Sequence, residues 1–194
     1  MLHLLRYICY IIYTIDTIGS LKMLQKRGVC YMEENLSYAK TELTKALLKL
    51  LESKSLNDIS ISELCEEAGL SRLSFYRNYA SKEDILRQHL DQITTSFLGT
   101  TSVNFRTTPK RKFIVYLIRH MQQHKKIISL LIDSGLSYIV KEEFDEAFTR
   151  SIETYHDPYR CYVASGAYFN LIYYWFLNGC KESPEELAEM DLSI

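Results

Sequence analysis

The chain contains little glycine and proline, with 7 Gly and 3 Pro among 194 residues. Because sandwiches and barrels need many tight turns, this scarcity disfavours an all-β fold and favours a mainly helical one. The five cysteines are far apart and no C-x-x-C pair occurs. A disulfide framework is therefore not expected, and the cysteine pattern is typical of a reducing, cytoplasmic compartment.

Enzyme signatures are also absent. No G-x-S-x-G, glycine-rich phosphate loop or H-E-x-x-H occurs, so we expect no catalytic residues and no cofactor. His120 and His124 have a helical metal-ligand spacing, but no Cys or carboxylate flanks them, and we expect no metal site. Cys161 and Cys180 are interpreted as buried and inert rather than as a redox or metal sensor.

The composition excludes further classes of protein. A hydrophobic fraction of 47% is enough for a core and excludes a wholly disordered chain. The length fits one domain, or one compact unit with a small accessory domain. The net charge of −1 excludes a simple polycation that coats nucleic acid, but it leaves room for a local basic face.

The first 31 residues lack the pattern of a folded segment. Residues 7–15 are nearly all apolar, but the run is bounded by Arg6 and Asp16 and is short for a transmembrane helix. It is also a poor signal peptide. Arg27-Gly28-Val29 can be encoded with a ribosome-binding sequence, which makes Met32 a candidate start. We expect residues 1–31 to be a translated leader or disordered extension; the alternative is an N-terminal helix or membrane anchor.

A regular helical pattern follows. Apolar residues from Leu36 to Leu50 recur at helical spacing and predict a first helix over about 36–53. Ser60-x-x-Glu63 is a capping box that predicts a short second helix. Gly69 then suits the position just after that helix, where a positive φ is needed.

A third helix follows the glycine turn. Ser71 is its predicted cap, and Phe75 is expected to lie in the core. Two short helices joined by a glycine-containing turn predict a helix-turn-helix. Ser81 begins a fourth helix over about 81–98.

The run ISELCEEAGLSRLSFYRNYASKEDIL, residues 61–86, resembles the DNA-binding domain of the tetracycline-repressor-like (TetR) family. The resemblance extends over roughly residues 36–90. This chain departs from the family at Ser55, where Gly is usual, and at Asn78 and Tyr79, where His and Phe are usual. The resemblance implies an all-α protein with an N-terminal three-helix DNA-binding domain containing the helix-turn-helix. A C-terminal helical ligand-binding and dimerisation domain would follow.

The third helix supplies the candidate DNA contacts. Arg72, Leu73 and Ser74 occupy its start, where side chains of a recognition helix meet base edges in the major groove. The resemblance implies that Tyr76, Asn78 and Lys82 hold backbone phosphates and that Ser60 contacts another. Ser71 and Arg77 complete the predicted DNA-binding set, with a solvated side chain as the alternative for Arg77.

The remaining chain predicts a helical second domain. Residues 100–108 read as a linker, and Pro109 opens a helix that ends near His124. An apolar helix over 127–132 stops near Gly135. A longer helix then runs from Leu136 through Tyr155 to the break at 156–158.

The last segments are the most apolar. Residues 159–178 are apolar nearly all round, and Ser183-Pro184-Glu185-Glu186 starts a last short helix. This segment is either the central helix of its domain or also a subunit interface. It resembles the last helices of TetR-family ligand-binding domains, which implies a homodimer with its interface within 158–190.

Two further features concern ligands. Tyr138, Phe148 and Tyr168 are candidate ligand-pocket residues, although aromatic residues at helical spacing are more often core. No acidic residue lies between Gln92 and Ile132, whereas seven basic residues do. We interpret this run as a solvated face, with an anionic ligand or extra DNA contacts as the alternatives.

Together these patterns predict the following organisation: a leader at 1–31, a DNA-binding domain at 32–80, a connecting helix at 81–99, a linker at 100–108 and a regulatory domain at 109–194. The predicted function is a homodimeric regulator, a repressor by preference, that binds double-stranded DNA at a pseudo-palindrome and responds to a small ligand or partner. The alternative is a protein-interaction or membrane-tethered adaptor or activator built on a helix-turn-helix scaffold. No membrane contact is expected if the chain starts at Met32.

Overall fold

The computed structural model of the chain describes residues 38–100, 107–150 and 157–190. Within these ranges the secondary structure is helical, without strands. The helices are α1 (38–51), α2 (Ile61–Glu67), α3 (Arg72–Asn78), α4 (Lys82–Thr100), α5 (Lys110–Gln123), α6 (Lys125–Asp133), α7 (Ser137–Thr149), α8 (Pro158–Leu177) and α9 (Pro184–Glu189). The predicted all-α class is confirmed. The predicted leader at 1–31 and residues 101–106 of the predicted linker lie outside the described residues.

Helices α1 to α4 form the N-terminal head around one buried cluster. Leu43 and Leu47 of α1, Leu64 of α2 and Phe75 of α3 are all fully buried and belong to the same apolar core. A 3-10 turn at Leu56–Asp58 joins α1 to α2 and buries Leu56. The apolar stripe of α1 thus packs where its periodicity predicts.

Helix α4 continues from the head into the second domain, and it packs against α7. Its buried residues Ile93 and Phe97 belong to the same apolar cluster as Leu43 in the head and Phe113 in the second domain. The head and the second domain therefore share one continuous core within the described residues. A movement in one is resisted by packing in the other.

The second domain is built around α5, α7 and α8. Helix α7 packs against α4, α6 and α8, while α5 packs against α6 and α9. The buried Trp175 of α8 donates its indole N–H to the Glu182 carbonyl at 3.0 Å, which anchors the loop after α8. The sequence predicts the start of α9 at Ser183, and the structure adds a reciprocal capping box between Ser183 and Glu186.

One predicted boundary is wrong. Pro109 caps α5 rather than opening it, with a ψ of 132° that is extended and not helical. Helix α7 is described to Thr149, and the rest of the predicted helix, through Tyr155, lies outside the described residues. The Thr149 hydroxyl donates to the Glu146 carbonyl, and Arg150 pairs with Asp91 of α4.

Candidate nucleic-acid interface

The turn between α2 and α3 is held by bonds between residues close in sequence. The Ser60 hydroxyl accepts from the Glu63 N–H at 3.1 Å at the start of α2. At its end, Gly69 has a φ of +65°, and the Leu70 N–H reaches back to the Cys65 carbonyl at 2.9 Å. This is a Schellman ending, in which a left-handed residue reverses the chain.

Helix α3 starts directly after the turn. The Ser71 hydroxyl accepts from the Ser74 N–H at 3.2 Å, which satisfies one of the free amides of the first turn. Helices α2 and α3 pack against each other. The predicted helix-turn-helix is therefore present. The first residue of α3 is Arg72, as expected.

One aromatic residue fixes the orientation of α3. Phe75 is completely buried and packs edge-on against Tyr76, with ring centroids 5.2 Å apart, and close to Tyr79 at 6.3 Å. With Phe75 in the core, the opposite face of α3 is turned outward. Leu73 is 58% exposed and Tyr76 is 61% exposed. Large exposed apolar side chains on a short helix suit contact with another molecule.

The charged residues of α3 also lie at the surface. Arg72 and Arg77 are both exposed. The Arg72 guanidinium donates to the Ser62 hydroxyl of α2. This bond leaves further guanidinium N–H groups for a base or phosphate, because arginine carries five. Ser62 is a supporting residue that the sequence reasoning missed, since ten positions separate it from Arg72.

Two predicted phosphate-binding residues have partners inside the protein. The Lys82 ammonium donates to the Leu56 and Ile59 carbonyls, both at 2.5 Å. The Asn78 amide donates to the Ser74 carbonyl at 2.7 Å, and its Oδ1 is buried without a hydrogen-bond partner. Lys82 and Asn78 therefore stabilise the ends of neighbouring turns, and each keeps one donor N–H for another partner.

Two of the three acidic residues of α2 pair with lysines of the head. The Glu63 carboxylate pairs with Lys54, and this bond is the main cause that lowers the pKa of Glu63. Glu67 pairs with Lys49 at 2.5 Å. These pairs reduce the negative potential that α2 would otherwise present beside the recognition helix.

The predicted ligand-pocket residues do not all come together. Tyr168 of α8 packs against Phe113, with centroids 4.8 Å apart, and stacks on Phe148 at 5.7 Å. Burial raises the pKa of the Tyr168 hydroxyl. Tyr138 is 46% exposed at the start of α7, about 15 Å along the helix from Phe148 at 1.5 Å per residue.

The basic run is largely exposed, and three of its residues face acids distant in sequence. Arg111 pairs with Glu189 and Arg119 pairs with Glu185 at 2.5 Å, so the last helix covers α5 with opposite charge. Lys126 of α6 lies 3.2 Å from Glu52 at the end of α1. The side chains remain more than half exposed. This arrangement supports the interpretation as a solvated face.

The histidine pair occupies the corner between α4, α5 and α6. His120 hydrogen-bonds the Ile93 carbonyl at 3.0 Å and packs against Phe97 and His124. Burial lowers the pKa of both histidines. Across the described ranges no group of three or more His, Cys, Asp or Glu residues is arranged to hold a metal ion. Over the same residues, no helix has both the length and the apolar character needed to span a membrane.

Helix α8 presents an apolar face to solvent. Its exposed apolar residues form two groups at helical spacing, one near each end of the helix: Tyr159, Tyr162 and Val163, then Tyr174 and Leu177. Gly166 lies on this helix between the two groups, and a Cβ there would meet no atom of this chain within 4 Å. Nothing in the described part of the chain therefore requires a glycine at that position.

This helical, two-part arrangement with an exposed recognition helix defines a class, the helix-turn-helix DNA-binding regulators. Residues 43–88 match the family model described as "Bacterial regulatory proteins, tetR family". This match confirms, over residues 43–88, the resemblance stated from the sequence.

The chain is also similar to several solved structures. A TetR transcriptional regulator from Streptococcus agalactiae 2603V shares 17% sequence identity, with 82% of this chain and 94% of that chain covered and a TM-score of 0.56. The fatty acid degradation regulator FadR from Bacillus halodurans shares 12% identity, with coverages of 78% and 91% and a TM-score of 0.49. The dihydroxyacetone kinase operon activator DhaS shares 16%, with coverages of 77% and 89% and a TM-score of 0.49. No curated protein matches the sequence.

Proposed function

We propose that this protein is a homodimeric, sequence-specific transcriptional repressor that binds a pseudo-palindromic operator and responds to an effector in its second domain. The observation that carries the proposal is the outward face of α3. Arg72, Leu73 and Tyr76 are exposed there, while Phe75 holds the helix to the core. A rigid helix with exposed polar and apolar side chains at its start is the geometry that reads a major groove.

The side chains divide into two roles. Arg72 reads guanine through O6 and N7, and Leu73 packs on a thymine methyl group, while Ser74 lies one position further along the helix. Tyr76 and Arg77 contact phosphates and fix the register of the helix on the duplex. The DNA-contact set is completed by Ser60, Ser71, Asn78 and Lys82. Their hydrogen bonds within the protein preorganise the surface that faces the sugar-phosphate backbone of the DNA.

The apolar face of α8 supports the proposal of a homodimer. The side chains of Tyr162, Val163 and Tyr174 are more than half exposed, which is costly for a solitary surface helix. Glycine in a helix costs about 1 kcal/mol relative to alanine, and close approach of a second backbone at Gly166 explains its use. Two heads related by a twofold axis would then read half-sites about 34–36 Å apart.

The effector is proposed to act through the aromatic cluster of the second domain. Phe148 and Tyr168 meet Phe113 there, close to α4 through the α4–α7 contact. A ligand that favours one packing of this cluster shifts α4 and with it the head. Its effect is limited by its differential affinity for the two arrangements.

DNA recognition is tested by fluorescence anisotropy with the duplex upstream of the protein's own gene and an unrelated duplex, at two salt concentrations. We expect tighter, salt-dependent binding to the first duplex. Arg72→Ala should weaken specific binding by about 10–100-fold, whereas Tyr76→Phe should weaken binding to both duplexes. Lys181→Ala, on the exposed loop before α9, is the matched control. Equal affinities of the wild type and Arg72→Ala for the first duplex would contradict base reading by α3.

The oligomeric state is tested by sedimentation equilibrium. Val163→Glu and Tyr174→Glu place a charge on the exposed face of α8 and should convert a dimer into a monomer. Tyr138→Glu changes an exposed tyrosine on another helix and should leave the dimer intact. A wild-type chain that is monomeric at all concentrations, or dimers in all three variants, would contradict the proposed interface.

A further inference from the structure

A groove lined by several polar side chains lies between α1 and α4 of the head. Its volume is about 490 Å³, within the range of small-molecule sites. The polar residues that line it include Lys40, Thr41 and Thr44 of α1 and Gln88, His89 and Gln92 of α4. None of the described residues that line it is acidic. The groove therefore presents hydrogen-bond donors and positive charge without a fixed negative charge.

Lys40 is the charged group of this groove that lacks a counter-charge. Its ammonium is partly buried and donates to the Gln88 amide oxygen at 2.8 Å. It also lies over the Tyr79 ring, 5.7 Å from the centroid. Among the described residues no carboxylate pairs with it. A partly desolvated ammonium with only neutral partners favours an incoming anion.

The neighbouring carboxylates are already occupied. Asp84 accepts from the Gln88 amide at 3.1 Å and from the Ala80 N–H at 2.9 Å. Glu42 pairs with Lys45 at 2.8 Å, on the rim of the groove. Asp84 therefore orients the Gln88 amide toward Lys40, and neither acid neutralises the Lys40 ammonium directly.

His89 supplies a second group that responds to an anion. It lines the groove beside Gln92 and is half-buried. Burial is the main cause that lowers the pKa of its imidazole, with His124 as a smaller cause, while a hydrogen bond with Gln92 acts in the opposite direction. A negative charge in the groove would favour the protonated ring and raise this pKa.

We propose that the groove between α1 and α4 binds a small molecule through an oxyanion group, a carboxylate or a phosphate, with Lys40 as its counter-charge. The Gln92 amide of α4 lines the same groove and can donate a hydrogen bond to it. This site is separate from the Phe148–Tyr168 cluster and does not depend on the reading of DNA by α3. Helix α4 carries one wall of the groove and also packs on α7 of the second domain. A molecule bound in the groove therefore contacts the helix that links the head to the second domain.

The test is a calorimetric titration of the full chain with pyrophosphate and, separately, with citrate, in a chloride buffer of constant ionic strength. We expect saturable binding of at least one probe by the wild type. Lys40→Met should weaken it about tenfold or more, as expected for loss of a charge-assisted hydrogen bond. Lys181→Met, which removes an exposed lysine from the loop before α9, should bind as the wild type does.

A second readout separates a specific site from general screening. The pKa of His89, followed by NMR, should rise when the probe binds to the wild type and stay unchanged with Lys40→Met. Urea unfolding of Lys40→Met checks that the variant is folded. Two outcomes would overturn the proposal: no saturable binding of either probe, or equal affinity of the wild type and Lys40→Met.

A DNA phosphate is the other source of the same chemistry, and a separate arm distinguishes it. Lys40→Met is titrated onto the duplex without any added oxyanion. Unchanged duplex affinity supports a free small molecule as the occupant. A loss of duplex affinity together with no binding of pyrophosphate or citrate would assign the groove to the DNA backbone and overturn the proposal.

Discussion

Glu143 is a buried acid between α7 and α4, and its replacement by glutamine gives the sharpest test of the packing described above. Its side chain is 4% exposed, and its Oε2 has no hydrogen-bond partner. Arg87 and Arg150 lie nearby, but they pair with Glu142 and Asp91. Burial raises the pKa of Glu143 from 4.5 to about 7, helped by the negative charges of Glu146 and Asp91 and opposed by the two arginines.

The expected change in the free energy of unfolding follows from the difference between the two pKa values of Glu143. One pKa unit corresponds to about 1.4 kcal/mol, so a rise from 4.5 to about 7 corresponds to about 3 kcal/mol. Between these two pH values the folded chain binds more protons at Glu143 than the unfolded chain does. The contribution of Glu143 to the free energy of unfolding therefore falls as the pH rises from about 4.5 to about 7, and it is constant above that range.

Glutamine has nearly the same shape and stays neutral at every pH. We expect the stability difference between Glu143→Gln and the wild type to grow in favour of the variant by about 3 kcal/mol between pH 4.5 and 8. Urea unfolding at fixed protein concentration measures it across that range. Glu66→Gln, which changes an exposed acid of α2, is the control and should show little change. A pH-independent difference for Glu143→Gln would refute the reasoning.

Three further predictions concern the helix-turn-helix, and all are measured by denaturant unfolding. Phe75→Ala should lower the free energy of unfolding by about 3–5 kcal/mol, because Phe75 is fully buried; a loss below 1 kcal/mol would contradict its role as the anchor of α3. Gly69→Ala should cost about 1–2 kcal/mol from the φ of +65° alone, since no atom lies within 4 Å of the added Cβ; Gly69→Asn should cost less. Ser71→Ala should cost about 1 kcal/mol through loss of the cap, and Ser71→Asp should restore it.

The basic run of the second domain is a sequence pattern whose role depends on how α5 and α9 pack together. The sequence contains a long basic stretch without acids, which is compatible with a solvated face, an anionic ligand or extra DNA contacts. In the structure α9 lies against α5, and Glu185 and Glu189 face Arg119 and Arg111. Because 66 positions separate Glu185 from Arg119 in the chain, no local pattern predicts this pairing.

The amino-acid sequence by itself determined where most helices begin and end and that α2 and α3 form a helix-turn-helix. These features depend on groups within about five residues of one another: the Ser60 and Ser71 caps, the Gly69 turn and the Ser183–Glu186 box. Backbone amides and carbonyls at helix ends must find partners, and short side chains or glycine supply them locally. The outward position of Arg72 and Leu73 followed from the same short-range pattern.

Only the tertiary structure decided which polar groups are buried and which distant helices meet. It turned Lys82 to the Leu56 and Ile59 carbonyls, buried Glu143 beside α4, and brought Tyr168 against Phe113 while leaving Tyr138 at the surface. It also left Lys40 without a counter-charge in the groove between α1 and α4. These outcomes depend on contacts between residues far apart in sequence, and helical periodicity specifies which face of a helix is buried but not what that face meets.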